Sequence, residues 1–336
     1  MTRIPVLSMC LLLSVSVVTS EAQLIPSFGR DRAGTSGFQF LKIPVDARSA
    51  AMGQAVATNA VDASALFWNP ALIAQSRART ILGVSHTSYH ADVKLNYLAA
   101  AQDIGGVTLG FSLQSMDSGE MPVTTEFQPF GTGETFKVID LSLGLTVAQQ
   151  LTDLFSYGVT ARYVEEGIAS VTHKTLVLDA GIFYRIGETG TKMAVSIRSF
   201  GFDSSSDGEI ERTVVSETGV RIEDNFESMT PATTFLMGIA YDVFHRSGGD
   251  KSLLLSVQLN NPNDNAESYN IGVEYLWNRL LALRTGYRFG VEEAEVPSFG
   301  FGLLLPGIGP DVRFDYGFNQ LERLGSVHRI GLDVGL

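Results

Sequence analysis

From about Arg79 onward, apolar and polar residues alternate with a period of two. Val107, Leu109, Phe111 and Leu113 interleave with Thr108, Gly110, Ser112 and Gln114. Ile139, Leu141, Leu143, Leu145 and Val147 interleave with Asp140, Ser142, Gly144, Thr146 and Ala148, and Phe155, Tyr157, Val159, Ala161 and Tyr163 with Ser156, Gly158, Thr160 and Arg162. The pattern recurs over Tyr269–Tyr275, Leu281–Phe289, Val312–Phe318 and Ile330–Leu336. Successive strand side chains point to opposite faces, so each run has one face in an apolar medium and one against something polar. About fourteen such segments of about ten residues can be counted, the length that crosses a membrane at a tilt. They begin near Arg79, Val93, Gly106, Thr135, Leu154, Lys174, Lys192, Pro231, Lys251, Glu267, Leu280, Pro297, Asp311 and Ser326.

The connections sharpen this into an all-β, transmembrane antiparallel barrel. Gln102–Gly105, Gln149–Asp153, Arg185–Thr191, Trp277–Arg279 and Pro306–Pro310 are short and follow even-numbered strands. Ser115–Glu134 and Gly201–Thr230 are long and follow odd-numbered ones, as expected of short inner turns and long outer loops. Arg162, Asp179, Arg198, Glu274, Arg284, Arg288, Arg313, Asp315, Arg329 and Asp333 fall opposite the apolar face. In a lumen such residues can pair or stay wet, whereas each would be costly in a soluble core. Tyr163, Tyr184, Tyr241, Tyr275, Trp277, Tyr287 and Phe289 sit near strand ends, where interfacial girdles form. Glycines in inward slots, among them Gly158, Gly181, Gly272, Gly286, Gly317 and Gly331, permit tight curvature or close approach of an internal plug. A soluble β-sandwich is the weaker alternative, and no fixed-period repeat supports a solenoid.

Ahead of the strands come two further segments. Residues 1–22 read as a signal peptide, with Arg3 in the n-region, an apolar run from Val6 to Val18, and small residues Ser20 and Ala22 before a cut at Gln23. That run is too short to span the membrane as a helix. Cys10 lies within it, so the exported chain carries no cysteine and no disulfide. A formal net charge of -12 argues against nucleic acid as a partner. Residues 23–78 form the segment that precedes the barrel of 79–336. Within it, Asp62 can cap a short helix over Ala63–Phe67, and Pro70 ends that helix by disfavouring the helical region at Asn69.

The segment also carries a recognisable pattern. Phe38-x-Phe40-Leu41, Ala47-Arg48-x-Ala50-Ala51-Met52-Gly53 and Asp62 through Ala71 (DASALFWNPA) resemble the amino-terminal signature of the PorV/PorQ family, outer-membrane barrels related to the FadL long-chain fatty-acid transporters. Pro44, Gln54 and Leu72 depart from the usual pattern. The resemblance implies a fourteen-stranded barrel whose leading segment is a short helical plug folded into the lumen. It further implies residence in the bacterial outer membrane, in contact with its lipid. It makes Phe67, Trp68, Asn69, Pro70 and Ala71 the candidate binding or gating residues. PorV-like members serve type IX secretion, so secretion-system proteins and secreted cargo are the implied partners. The FadL relationship keeps open a channel for hydrophobic small molecules, with a ligand in the lumen. Whether the plug is fixed or a gate stays open.

Catalytic signatures are missing: there is no Gly-x-Ser-x-Gly, phosphate loop or His-Glu-x-x-His, and neither catalytic residues nor a cofactor is expected. His86 and His90 flank a predicted loop and do not suggest a metal site. Asn260–Asn265 (NNPNDN) lacks calcium-loop spacing and reads as a turn. The Ser-, Asp- and Glu-rich run from Asp203 to Glu227 is the exposed loop where a protein partner is first sought.

Overall fold

A computed structural model describes residues 32–214, 219–223, 226–245, 250–291, 294, 296–305 and 311–336. The expected signal peptide, part of the loop after the seventh strand and the turn 306–310 lie outside the described residues.

Fourteen antiparallel strands close into a barrel: β1 (Thr80–Ser88), β2 (Lys94–Ile104), β3 (Val107–Asp117), β4 (Val138–Thr152), β5 (Phe155–Ile168), β6 (Val171–Arg185), β7 (Thr191–Gly201), β8 (Thr234–Asp242), β9 (Ser252–Pro262), β10 (Ser268–Trp277), β11 (Leu281–Phe289), β12 (Ser298–Leu305), β13 (Asp311–Leu321) and β14 (Gly325–Gly335). Each pairs with the next, and β14 returns to β1 with Leu332 opposite Val84, leaving no free edge. Closure satisfies every strand's backbone groups, which a bilayer core cannot do. Every strand starts within three residues of the position read from the sequence. The largest differences are at β4, β6 and β8, where polar residues blur the alternation; β5 and β6 extend until only Ala169 and Ser170 join them.

Outward slots hold exposed apolar residues such as Leu145, Val147, Leu176 and Leu178, while inward slots hold buried polar ones such as Ser112, Thr146, Thr160 and Asp179. One end carries tight turns at Gly105–Gly106 and Asp153–Leu154 together with the start of β1 and the end of β14, where the Arg79 N–H donates to the Leu336 carbonyl (2.8 Å). The other carries the long connections 118–137 and 202–233, and is therefore the outer end. The first of these is a hairpin arm, Met121–Pro122 pairing with Thr135–Phe136, whose tip bears Phe127 and Phe130 at 83% and 102% exposure.

Candidate functional site

The lumen is filled by the segment that precedes β1. It enters at the outer mouth, where the Gly37 N–H donates to the Thr230 carbonyl (3.0 Å), and forms a 3-10 turn over Gln39–Lys42. It continues through helices α1 (Ala47–Ala51) and α2 (Ala65–Trp68), then a 3-10 helix over Pro70–Gln75 that ends by the inner turns. Asp46 caps α1, accepting from the Ser49 N–H (2.7 Å), and also accepts from the Trp68 indole N–H (2.9 Å). Asp62 accepts from the Ser64 N–H (2.9 Å), but α2 begins at Ala65, two residues later than expected, with Ser64 at its N-cap position and no side-chain cap, so Asp62 closes the turn ahead of the helix. The chain leaves α2 at Asn69, as Pro70 dictates.

Glycine makes this fit. The inward slots of the wall meet plug backbone directly. A Cβ on Gly158 would lie 2.6 Å from the Pro70 carbonyl carbon, one on Gly272 2.6 Å from the Met52 oxygen, and one on Gly317 2.5 Å from the Ala47 oxygen. Gly181 would meet the Asn69 side chain, and Gly286 the Met52–Gly53 backbone. On the plug side Ala47, Ala50, Ala51, Ala55, Ala57, Ala60, Ala63 and Ala65 are all buried, so small residues face small residues around the interface.

The expected site residues lie together at the inner half of the lumen, all buried. The Asn69 amide donates to the Ala57 carbonyl (3.0 Å) on the plug and to the Ile182 carbonyl (3.3 Å) on β6, while its oxygen accepts from the Ala71 N–H (3.1 Å). Ser156 on β5 donates to the Ala71 carbonyl (2.8 Å). Phe67 packs edge-on against Trp68 (5.0 Å between centroids) and Tyr97 (6.3 Å). The Arg198 guanidinium lies over the Phe67 ring at 3.8 Å and donates to the Leu41 carbonyl (3.0 Å). A cation over an aromatic face offsets part of the cost of burying Arg198 away from water.

Several inward charges of β10, β11, β13 and β14 form a chain of buried and half-buried ion pairs with the plug. Arg48 in α1 donates to both oxygens of Glu274 on β10 (2.8 and 2.9 Å) and to the Asn59 carbonyl (3.0 Å). Glu274 also accepts from Arg284 on β11 (2.6 Å), which reaches Asp315 on β13 (2.6 Å). Asp315 accepts from Arg313 (2.6 Å), and Arg313 donates back to the plug at Asp62 (2.5 Å) and to Asp333 on β14 (3.1 Å). The circuit thus leaves the plug at Arg48 and re-enters it at Asp62. Burial opposes the Asp62 charge, but Arg313 and Arg48 more than offset it and hold the carboxyl well below the usual carboxylate range. A second pair, Arg162 with Asp179 (2.6 Å), is bonded to the plug through the Leu66 carbonyl (2.5 Å). Removing one partner of such a pair typically costs 3–5 kcal/mol, about the scale on which a plug stays docked or not.

The sequence singles out many wall charges but pairs none of them with the plug. Arg48 is read there only as part of the family signature, and the wall carboxylates Asp264 and Glu166 go unselected, yet each ties the plug to the wall. Lys42 donates to Asp264 (2.8 Å), and the Phe38 N–H donates to Glu166 (2.9 Å). His86 and His90 do not converge: His86 faces outward, bonded to Asn96 (2.7 Å), and His90 stacks on Tyr89. Among the described residues no group of three or more metal-ligating side chains is assembled from His, Cys, Asp and Glu.

A plug bonded to the wall from outer mouth to inner end, inside fourteen strands, agrees with a sequence comparison. The family model for type IX secretion system protein PorV matches residues 27–203, 177 of the 336 residues. The chain belongs to the PorV family. Its match covers the plug and the first half of the barrel, the part in which the plug signature and β1–β7 lie. A comparison with curated protein sequences gave no match. Solved barrels share the fold of this PorV-family chain at low identity. The toluene transporter TodX of Pseudomonas putida aligns at TM-score 0.59 and 13% identity over 86% of this chain and 96% of its own. The CymD monoaromatic hydrocarbon channel aligns at 0.58 and 14% over the same shares. The toluene transporter TbuX of Ralstonia pickettii aligns at 0.57 and 10%, also over 86% and 96%.

Proposed function

We propose that this chain is a non-enzymatic component of type IX protein secretion that holds exported proteins or secretion partners at the outer face of the outer membrane. The hairpin arm between β3 and β4 carries the reading. It raises two aromatic rings, Phe127 and Phe130, beyond the barrel with nothing over them, and aromatic residues, phenylalanine among them, are enriched at the core of protein interfaces. Close packing in mid-lumen supports the same view: the gap between the plug at Asp46–Ala47 and Ala63–Ser64 and the wall of β1, β13 and β14 is about 10 Å³, about the room one water needs, whereas a pocket of about 330 Å³ lies at the inner end beside Ile73–Ser76. In this reading Phe67–Ala71 anchor the plug to β5 and β6, and the binding surface lies above it. The test is a photo-cross-linking residue at Phe127 or Phe130, and another in the loop 201–230, in cells that secrete. Capture of exported proteins or secretion subunits, with export lost in a Phe127→Ser/Phe130→Ser variant whose barrel is intact, supports the proposal. Unimpaired export in that variant and after deletion of the 201–230 loop overturns it.

The hydrocarbon channel and toluene transporter that share the fold favour a second reading, a channel for hydrophobic small molecules with the plug as a movable hatch. Uptake of toluene or a fatty acid into liposomes, lost on altering Asn69 or Phe67, would support it; absence of uptake counts against it.

A further inference from the structure

Near the outer mouth, the inward faces of β3, β4 and β5 gather oxygen atoms that lack a cation. Asp140 on β4 stands directly opposite Glu166 on β5. Two residues further along the same face of β4, Ser142 stands opposite Gln114 on β3. Facing pairs of this kind lie about 5 Å apart at Cβ, so the four side chains form one patch. Asp140, Ser142 and Gln114 are buried to 2%, 1% and 0% exposure.

Their hydrogen bonds fix which atoms are free. The Gln114 amide nitrogen donates to the Phe40 carbonyl (3.0 Å), which turns its oxygen away from the plug. That oxygen, the Ser142 hydroxyl and Asp140 Oδ1 have no hydrogen-bond partner. Glu166 accepts the Phe38 N–H (2.9 Å) on Oε2. Nearby cations are committed elsewhere: Arg162 to Asp179 and the Leu66 carbonyl, and Lys174 toward Asp207 (3.9 Å). His173 on β6 stands opposite Glu166, and its Nδ1 contacts the Ser204 hydroxyl (3.3 Å). Among the described residues no Arg or Lys forms an ion pair with Asp140 or Glu166.

The buried Asp140 carboxylate and the half-buried Glu166 carboxylate repel one another, and unpaired buried oxygens beside them add to the cost. A cation removes both penalties. The donors are two carboxylates, an amide carbonyl and a hydroxyl, the hard oxygen set that calcium takes, without the sulfur or clustered imidazoles that zinc and copper prefer. We propose that Asp140, Glu166, Gln114 and Ser142 hold a calcium ion at the outer end of the lumen. The site braces two things at once. It lies at the root of the arm, which joins β3 to β4, and two of its ligands hold the entry of the plug through Phe38 and Phe40. Phe38 sits at φ 58, a left-handed conformation rare for a bulky residue, so contacts from the wall must keep it there.

The test uses the exported chain refolded into detergent free of lipopolysaccharide, stripped with chelator and titrated with radioactive calcium chloride in equilibrium dialysis. One saturable ion per chain is expected, with a dissociation constant in the roughly 10⁻⁴–10⁻³ M range of extracellular calcium modules. Asp140→Asn and Glu166→Gln should each weaken it at least about tenfold through the lost ligand charge. Glu120→Gln, an exposed carboxylate on the arm, should leave it unchanged. Heat-modified gel mobility shows that each variant is folded, and calcium should raise the transition temperature of the wild type and the Glu120 variant only. Absence of saturable binding, or binding that survives both ligand variants, overturns the proposal. So does a calcium-insensitive wild type made more heat-resistant by Asp140→Asn, the sign of a proton shared between the two carboxyls.

Discussion

Replacing Gly286 by alanine puts a methyl group where plug backbone already lies. The added Cβ would overlap the Met52 carbonyl carbon and the Gly53 nitrogen, with the Met52 oxygen at 2.6 Å. Those are main-chain atoms in the turn that leaves α1, so no rotamer change can clear them. Overpacking costs about 1–3 kcal/mol where side chains can yield, and here the top of that range applies. At about 1.4 kcal/mol per tenfold, 3 kcal/mol shifts the docked population roughly 100-fold. Gly331→Ala is the matched control, in an inward slot where the nearest atoms are 3.7 Å away at Ser85 and Val84. It should be neutral or stabilising by roughly 0.5–1 kcal/mol, the amount by which alanine exceeds glycine within a strand. Single-channel recording in planar bilayers reads plug release as openings, and heat-modified gel mobility reads barrel stability. Gly286→Ala should open the barrel while Gly331→Ala stays closed. Equal conductance and equal stability in the two variants would refute a plug seated on wall glycines.

Asn69→Ala strips hydrogen bonds from the Ala57 and Ile182 carbonyls and the Ala71 N–H. Buried groups left unpaired cost about 1–3 kcal/mol each, so limited proteolysis should cut the plug of this variant far faster than wild type while the barrel resists. Plug docking should also depend on pH through Asp62. Its carboxyl is held low in the docked state, so its contribution is complete above the unfolded value near about pH 4 and is lost as pH falls toward the docked value. Protease protection should therefore weaken as pH falls below about pH 4, and Asp62→Asn should lower protection at neutral pH and flatten that acid limb.

The strands were legible because the two sides of a barrel wall impose opposite demands on alternate residues. Val107 to Leu113 and Ile139 to Val147 read cleanly for that reason, and β4, β6 and β8 slipped where polar residues occupy both faces near the outer end. The helix stop at Asn69 was legible because proline acts on its immediate neighbour. What the pattern cannot carry is pairing across sequence distance. Arg48 and Glu274 lie 226 residues apart, and Arg313 and Asp62 lie 251 apart. Only the closed barrel brings them within reach. The inward charges therefore announce a polar lumen without saying that another part of the chain displaces its water. The inward glycines hold that information in a weaker form, since Gly158, Gly181 and Gly286 could have answered to curvature alone. Their neighbours show that they answer to the plug.

The direction in which the plug runs constrains how this barrel meets its surroundings. Gly37 hydrogen-bonds to Thr230 and pairs with Pro231 in the connection after β7, and Lys42 reaches Asp264 in the connection after β9, both at the outer end. Ala71 reaches Ser156 at the start of β5, and the Arg79 N–H reaches the Leu336 carbonyl, both at the inner end. The chain therefore descends the lumen from outside to inside before the first strand begins. Its inner end is wedged between Gly158 and Gly181 and covalently joined to β1, whereas Arg32–Thr35 are exposed at the mouth. A short epitope inserted between Thr35 and Ser36 should accordingly be labelled by antibody on intact cells, and a protease added outside should remove it without releasing the barrel. An epitope in the inner turn at Gly105–Gly106 should be labelled only after the outer membrane is opened. Labelling of the Thr35 insertion only after permeabilisation would mean that the barrel stands the other way up, and would place the Phe127 and Phe130 arm in the periplasm.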